Sequence, residues 1–398
     1  PRKSIPFSPG WRRVASAGTA MLFLIAAGSL AVMEARTSTL QSEFFSQLAG
    51  EMNYRVGGGP SDAILFPTDG PYDRRLGYVA IPRFINTLGS QGYAVESQAR
   101  VSERFDWYFK QSGIAPYRAK TRSGLTLLDR DGAEIFVSRQ PERIFESFDA
   151  VPPLVVKTLL FIENRELLNP TFPKANPAVE WDRLAIAFAD LVVKKTVSGG
   201  QSPGGSTLAT QMEKLRHSPD GRTDSVTEKL RQMVSASLRG YLDGRDTTEA
   251  RRRIVVDYLN STPLAARQGY GEIIGLGDGL WAWFGSDFET VRESLLSEAA
   301  SGPGLARKAA VYRQALSLLI AQRRPSEYLI AGRESLQRLV DSYLRLLADA
   351  GVIDAPLRDA ALARPAVFTE TLPLDALPGA PLSWKAASTL RARLPERL

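Results

Sequence analysis

A chain of 398 residues with no cysteine has room for two or three modules, and none of them can rely on disulfides. The formal net charge of +7 suits an anionic partner: phospholipid headgroups, a pyrophosphate-linked lipid or nucleic acid. Nucleic acid is set aside, because the chain reads as exported and carries no recognised binding motif. Export is read from the first predicted element, a run of 20 uncharged residues from Val14 to Met33 that is long enough to cross a bilayer. Arg2, Lys3, Arg12 and Arg13 precede it, which keeps the basic tail 1–13 in the cytoplasm and places the rest outside. A cleaved signal peptide is the alternative. Its apolar region is normally shorter, and Ala31-Val32-Met33 makes a poor cleavage site, so a retained transmembrane helix over 14–33 is expected.

Residues 34–115 read as a small mixed juxtamembrane region. Glu34 to Tyr54 is helical in pattern, and Gly57-Gly58-Gly59-Pro60 breaks it. The remainder, through Tyr93 and Trp107-Tyr108-Phe109, is aromatic and has no assignable role. Leu125 to Val137 reads as a hairpin around Asp129-Arg130-Asp131-Gly132. Pro152-Pro153 then suits a helix start, and Leu154 to Ile162 is almost wholly apolar, which predicts a buried helix. Further helices are expected at about 181–195, 207–216, 226–242 and 248–259, with a helical pair over 333–364 and a Pro-rich tail beyond Pro365. Strands are scarce, so the fold class is mainly α.

One helix start stands out. Ser198 to Gly205 is a glycine-rich loop, and Ser206 is a good N-cap. Helix N-termini attract anions through free N–H groups and the aligned dipole. Thr207, Gln211 and Lys214 follow at i, i+4 and i+7, so one face offers a hydroxyl, an amide and an ammonium. That row would cradle a pyrophosphate. It is no P-loop, since no Gly-Lys-Ser/Thr closes the glycines. On spacing alone an ordinary capped amphipathic helix is the better reading. The stretch Gly204-Gly205-Ser206-Thr207-Leu208-Ala209-Thr210-Gln211-Met212-Glu213-Lys214, however, resembles without a gap the pattern G-x-S-T-x-x-x-Q-x-x-K of the bacterial peptidoglycan glycosyltransferases (glycosyltransferase family 51). The resemblance covers roughly Leu125 to Arg364 and is strongest from Glu163 to Gly285, including Arg253 to Asn260 and Trp281-Ala282-Trp283-Phe284-Gly285.

The resemblance assigns roles on the catalytic side. Where the family has E-D-x-x-F-x-x-H-x-G, its first glutamate takes the acceptor hydroxyl proton; that position is Glu163 here, at the end of an apolar helix where a carboxylate loses solvation. The rest of that motif differs: Asn164 replaces Asp, Leu167 replaces Phe, the His and Gly are missing, and 169–176 reads as an insertion. In the family's R-K-x-x-E pattern Lys229 is kept, while Gln232 stands where a second glutamate assists the leaving pyrophosphate. A glutamine can orient but cannot carry charge or a proton. Glu228 lies one turn earlier on the same face and would compensate, as would Arg231 or a divalent cation such as Mg. Val256 also departs from the family's usual glutamate. His217, the one histidine, reads as a helix C-cap partner, and Trp281 and Trp283 fit a membrane interface or a core equally.

The resemblance thus implies a lysozyme-like helical glycosyltransferase domain over 116–325, a helical extension over 326–366 and a Pro-rich linker or tail over 367–398. It implies a membrane-anchored enzyme outside the cytoplasm that polymerises lipid-linked disaccharide onto a growing glycan strand, with inversion at the donor carbon. Its pyrophosphate-binding side would be Ser206, Thr207, Gln211, Lys214, Lys229 and Arg231, and its catalytic side Glu163 with Gln232. Other cell-wall synthesis proteins would be its partners. A relative that binds the precursor or serves as a scaffold without turnover fits Gln232 and Val256. A lytic glycan-cleaving enzyme, which can work with one glutamate, explains neither the anchor nor the phosphate-type row.

Overall fold

The computed structural model describes residues 9–111, 113–181 and 206–371. The glycine-rich loop expected over 198–205, nearly all of the helix expected at 181–195 and most of the Pro-rich tail lie outside the described residues.

Helix α1, Pro9–Thr37, contains the whole run Val14 to Met33. Among the described residues no single helix is long and apolar enough to cross a membrane; Met21–Thr37 meets that test only together with α2, Thr39–Glu51, from which it is bent by 56°. The bend falls on Ser38, a non-glycine residue in the left-handed region (φ 49°). Such a residue costs on the order of 1 kcal/mol and needs surrounding structure to hold it. Here Ser38 is buried, and its hydroxyl accepts the N–H of Asn176 at 3.1 Å, while the Asn176 amide donates to Gln41 at 3.0 Å. The joint between α1 and the body is therefore clamped to the segment that follows Glu163 in sequence.

The juxtamembrane region is more ordered than its sequence suggests. Strand β1, Tyr54–Gly58, pairs antiparallel with β2, Ser97–Val101, from Tyr54 opposite Val101 to Gly58 opposite Ser97. Between and after them lie α3 (Pro71–Arg75), α4 (Ile81–Ser90) and α5 (Glu103–Lys110). The predicted hairpin is present as β3, Ser123–Leu128, and β4, Glu134–Gln140. Its turn closes where the Asp129 carboxylate accepts the N–H groups of Asp131 and Ala133, each at 2.8 Å.

The rest is helical. Apolar α6, Pro153–Glu163, starts on a proline and buries Val155, Val156, Leu159 and Ile162. It is followed, among the described residues, by α7 (Leu208–His217), α8 (Val226–Gly240) and α9 (Thr248–Ser261). A short hairpin of β5, Pro263–Arg267, and β6, Gly271–Ile274, leads into α10, Gly275–Phe284, which is buried on all sides. Trp281 and Trp283 therefore belong to the core and not to a membrane interface; the Trp283 indole donates to the Leu264 carbonyl at 3.0 Å. Two positions on α10 require glycine: a Cβ at Gly275 (φ +78°) would meet the Asn260 carbonyl at 2.6 Å, and one at Gly277 the Arg143 carbonyl at 2.4 Å. Helix α11, Phe288–Leu296, and the long α12, Gly302–Ala321, complete the centre. The final pair α13, Arg333–Asp349, and α14, Ala355–Leu362, packs into the same apolar core, which runs unbroken from Phe145 to Ala361.

Candidate active site

Four helix segments meet at one carboxylate. Glu163 is the last residue of α6, and 11% of its side chain is exposed. The Gln211 amide, from α7, donates to its Oε2 at 3.1 Å. The Gln322 amide and the Arg323 guanidinium, just beyond α12, each donate to its Oε1 at 3.3 Å. Gln211 is itself fixed, because its carbonyl oxygen accepts the hydroxyl of buried Tyr258 from α9 at 3.1 Å. Burial, and then the nearby Glu163 charge, hold the Tyr258 phenol well above its usual value, so it stays a donor. Sequence reasoning found Glu163 and Gln211 and missed Tyr258, Gln322 and Arg323. Tyr258 lies 47 residues from Gln211, and Gln322 and Arg323 lie 159 and 160 residues from Glu163, so only the packing of α9 on α7 and of α12 on α6 delivers them.

Lys214 follows one turn after Gln211 on the same flank of α7. It is half-buried, burial holds its pKa below the ordinary lysine value, and no acidic partner faces its ammonium among the described residues. The expected hydroxyl of the row is not available. Thr207, not Ser206, is the N-cap of α7: its hydroxyl accepts the Thr210 N–H at 3.3 Å, and the Thr210 hydroxyl accepts the Thr207 N–H at 2.9 Å. A reciprocal Thr-x-x-Thr box closes the helix one residue later than expected and consumes the buried Thr207 hydroxyl. Ser206 precedes the cap and is half-buried.

The expected second catalytic position is also spent. Gln232 on α8 is 3% exposed and donates to the Ser218 hydroxyl at 2.7 Å, to Thr223 at 3.1 Å and to Glu228 at 3.4 Å. It staples the end of α7 to α8 and is not brought to Glu163. Glu228 does lie beside it, as the one-turn spacing implies. Lys229 is half-buried on the same helix. Exposed Arg231 lines a separate cavity of about 360 Å³ together with Phe66, Tyr117 and His217.

A buried charge network under α7 has no counterpart in the sequence reading. Glu213 is fully buried; Arg239 reaches its Oε1 at 2.6 Å, Arg216 at 2.8 Å, and the Ser235 hydroxyl its Oε2 at 2.5 Å. Burial alone would raise the Glu213 pKa, but Arg239, His217 and Arg216 outweigh it and hold it well below the usual carboxylate value. His217 is no C-cap partner. Its Nδ1 meets Asp73 of α3 at 2.8 Å and its Nε2 faces Glu213 at 3.5 Å, while Tyr117 donates to Asp73 at 2.6 Å. The spacing Glu213-x-x-Arg216-His217 was the one local signal; Asp73 and Arg239 close the network from afar.

A cavity of about 450 Å³ opens between the foot of α1 and residues 164–181. Asn164 lines it, is 1% exposed, and its Oδ1 has no hydrogen-bond partner among the described residues. Among the described residues no three histidine, aspartate or glutamate side chains converge on a metal-holding group.

A family model described as Transglycosylase matches residues 131–339, slightly more than half of the 398 residues. The match includes Glu163, Gln211, Tyr258, Gln322 and Arg323. No curated protein matches the chain.

Proposed function

The chain belongs to the transglycosylase family, and from that premise we propose that it is a peptidoglycan glycosyltransferase that joins lipid-linked disaccharides into glycan strands at a membrane surface. The observation that carries this reading is the order along one flank of α7: a carboxylate held by Gln211, then, one turn on, a half-buried ammonium with no acidic partner among the described residues. In the proposed reaction the acceptor hydroxyl attacks C1 of the donor sugar while Glu163 takes its proton. The bond from C1 to the pyrophosphate oxygen breaks, and the Lys214 ammonium meets the charge that develops on the departing pyrophosphate. A single displacement of this kind inverts the anomeric carbon. Gln211, oriented by Tyr258, sets the direction of the Glu163 carboxylate. No step is routed through a metal.

The mainly helical build agrees with a lysozyme-like domain, and the apolar α1 with α2 is the proposed anchor, with the catalytic domain on the extracytoplasmic side. A family role in wall synthesis supports an envelope location. A second reading, a relative that binds the precursor without joining it, is favoured by Gln232, whose amide is committed to Ser218, Thr223 and Glu228. Incubation of the detergent-purified chain with labelled lipid-linked disaccharide, followed by gel separation, decides between them. Polymer supports the transferase, bound lipid without polymer supports the second reading, and absence of both removes both.

A further inference from the structure

Two hollows meet at the foot of α1. One is the cavity beside Asn164. The other is a shallow groove along α1 itself, lined by Ile25, Gly28, Ser29, Val32 and Met33. Arg36 and Phe172 line both, so the two hollows adjoin. The two have different chemistry. The groove is walled by aliphatic side chains and the flat surface left by Gly28 and Ser29. The cavity mixes amides (Asn164, Asn169), carboxylates (Glu166, Glu180), guanidinium groups and the rings of Phe172 and Trp181. A bare phosphate would use the three guanidinium groups (Arg36, Arg165, Arg251) and be opposed by the two carboxylates. Sugar hydroxyls and acetamido groups, by contrast, use donors and acceptors together and lay their C–H faces on aromatic rings. Asn164 is buried and its Oδ1 has no partner among the described residues, and an unmet buried acceptor is costly unless a ligand donates to it. It is also the residue that follows Glu163 in sequence.

We propose that the foot of α1 and residues 164–181 form a glycolipid entry site, with the saccharide head in the cavity beside Asn164 and the apolar tail along the Ile25-to-Met33 groove of α1. Under the transferase reading, on which the identity of the sugar rests, this is where the acceptor lipid arrives. The Ser38 joint gives the site its shape. Asn176 holds the bend, and the bend sets the angle at which the α1 groove meets the cavity. The volume, about 450 Å³, lies within the range of sites that hold a ligand of this size.

The test uses the full chain in nanodiscs and two probes: lipid-linked disaccharide with its long isoprenoid tail, and the same head on a short tail. Gly28→Trp fills the groove without a clash, since a Cβ at Gly28 meets nothing within 4 Å. Ala27→Trp adds the same bulk to the opposite face of α1 as a control. The wild type should prefer the long tail; Gly28→Trp should lose that preference by roughly tenfold, equivalent to about 1.4 kcal/mol of tail contact, and Ala27→Trp should keep it. Asn164→Leu should weaken both probes. Unchanged preference in Gly28→Trp overturns the groove, and so does equal competition by an ordinary phospholipid. Failure of the wild type to bind either probe overturns the whole site. A wild type that binds with these preferences and makes no polymer overturns the transferase reading alone and leaves the site standing.

Discussion

The hydrogen bonds that Glu163 receives from Gln211, Gln322 and Arg323 come from groups that cost little to keep if the charge is removed. Gln211 and Gln322 are neutral, and Arg323 is half-exposed, so its ion pair contributes about 0–1 kcal/mol. Glu163→Gln should therefore keep its melting temperature within a few degrees while polymerisation falls by about 10²–10⁴-fold, the loss expected for a general base. Near-normal turnover in a folded variant would remove Glu163 from the chemistry. Gln232 behaves in the opposite way. By sequence, Gln232→Glu restores a family carboxylate and should speed an enzyme limited by its absence. In the folded protein the new carboxylate would sit beside Glu228, at a site where 3.4 Å now separates amide from carboxylate, and would lose the donor that meets Ser218. We expect destabilisation of about 1–3 kcal/mol and no gain in rate, and the double variant with Glu228→Gln should recover most of the stability. Denaturant titration of the four proteins reads the coupling directly; additive losses would show that Glu228 is not the cause.

At the scale of elements, α7 is the piece that everything addresses. Its upper flank meets Glu163 through Gln211, and its lower end is tied to α3 through His217 and Asp73. Gly70, which opens α3 at φ +109°, lies against α7 so closely that a Cβ would reach the Arg216 carbonyl at 1.8 Å. The groups facing the His217 ring are Asp73, Glu213, Tyr117 and Arg239. Burial pushes the His217 pKa down, but hydrogen bonds to Asp73 and Glu213 outweigh it, so the folded value lies above the ordinary 6.5. Because the folded pKa is raised, the stabilisation is complete below about pH 6.5 and is lost as pH climbs through the folded value. The gap in melting temperature between wild type and His217→Gln should be widest near pH 6 and shrink toward pH 9; a gap that grows with pH would mean the ring is neutral in the fold. Much of this element level was legible in the sequence. The apolar run before Glu163 and the Asp129 turn each carry a local signal, and among the described residues the predicted helices at 226–242 and 248–259 lie within a few residues of the observed ones. The β1–β2 pair was not legible, because its strands lie about 40 residues apart and neither alternates cleanly. The Thr207 cap was hidden by Ser206, an equally good capping residue one position earlier.

For the molecule as a whole, the matched interval and the folded unit do not end together. The family match stops at residue 339, inside α13, and the sequence reading separated an extension at 326. The packing crosses both points. Leu336, Val340, Leu344 and Leu347 of α13 are fully buried, and Leu357 of α14 is nearly so, all within the core that holds α6 and α10. Arg313 of α12, 2% exposed, depends on the same pair: it donates to the Ala361 carbonyl at 2.8 Å and pairs with Asp341 at 2.6 Å. α12 ends immediately before Gln322 and Arg323, so the pair also supports the groups that hold Glu163. Five buried aliphatic side chains at about 1.5–3 kcal/mol each exceed much of the net stability of a domain, about 5–15 kcal/mol, before the stranded guanidinium is considered. A chain ending at residue 332 should therefore show no cooperative thermal transition. Leu344→Ala in the full chain, a milder test of the same packing, should cost about 2–5 kcal/mol and weaken polymerisation only through lost folded protein. Calorimetry on both separates the outcomes: a truncated chain that melts cooperatively within a few degrees of the wild type would make α13 and α14 an appendage, and Leu344→Ala would then be nearly silent.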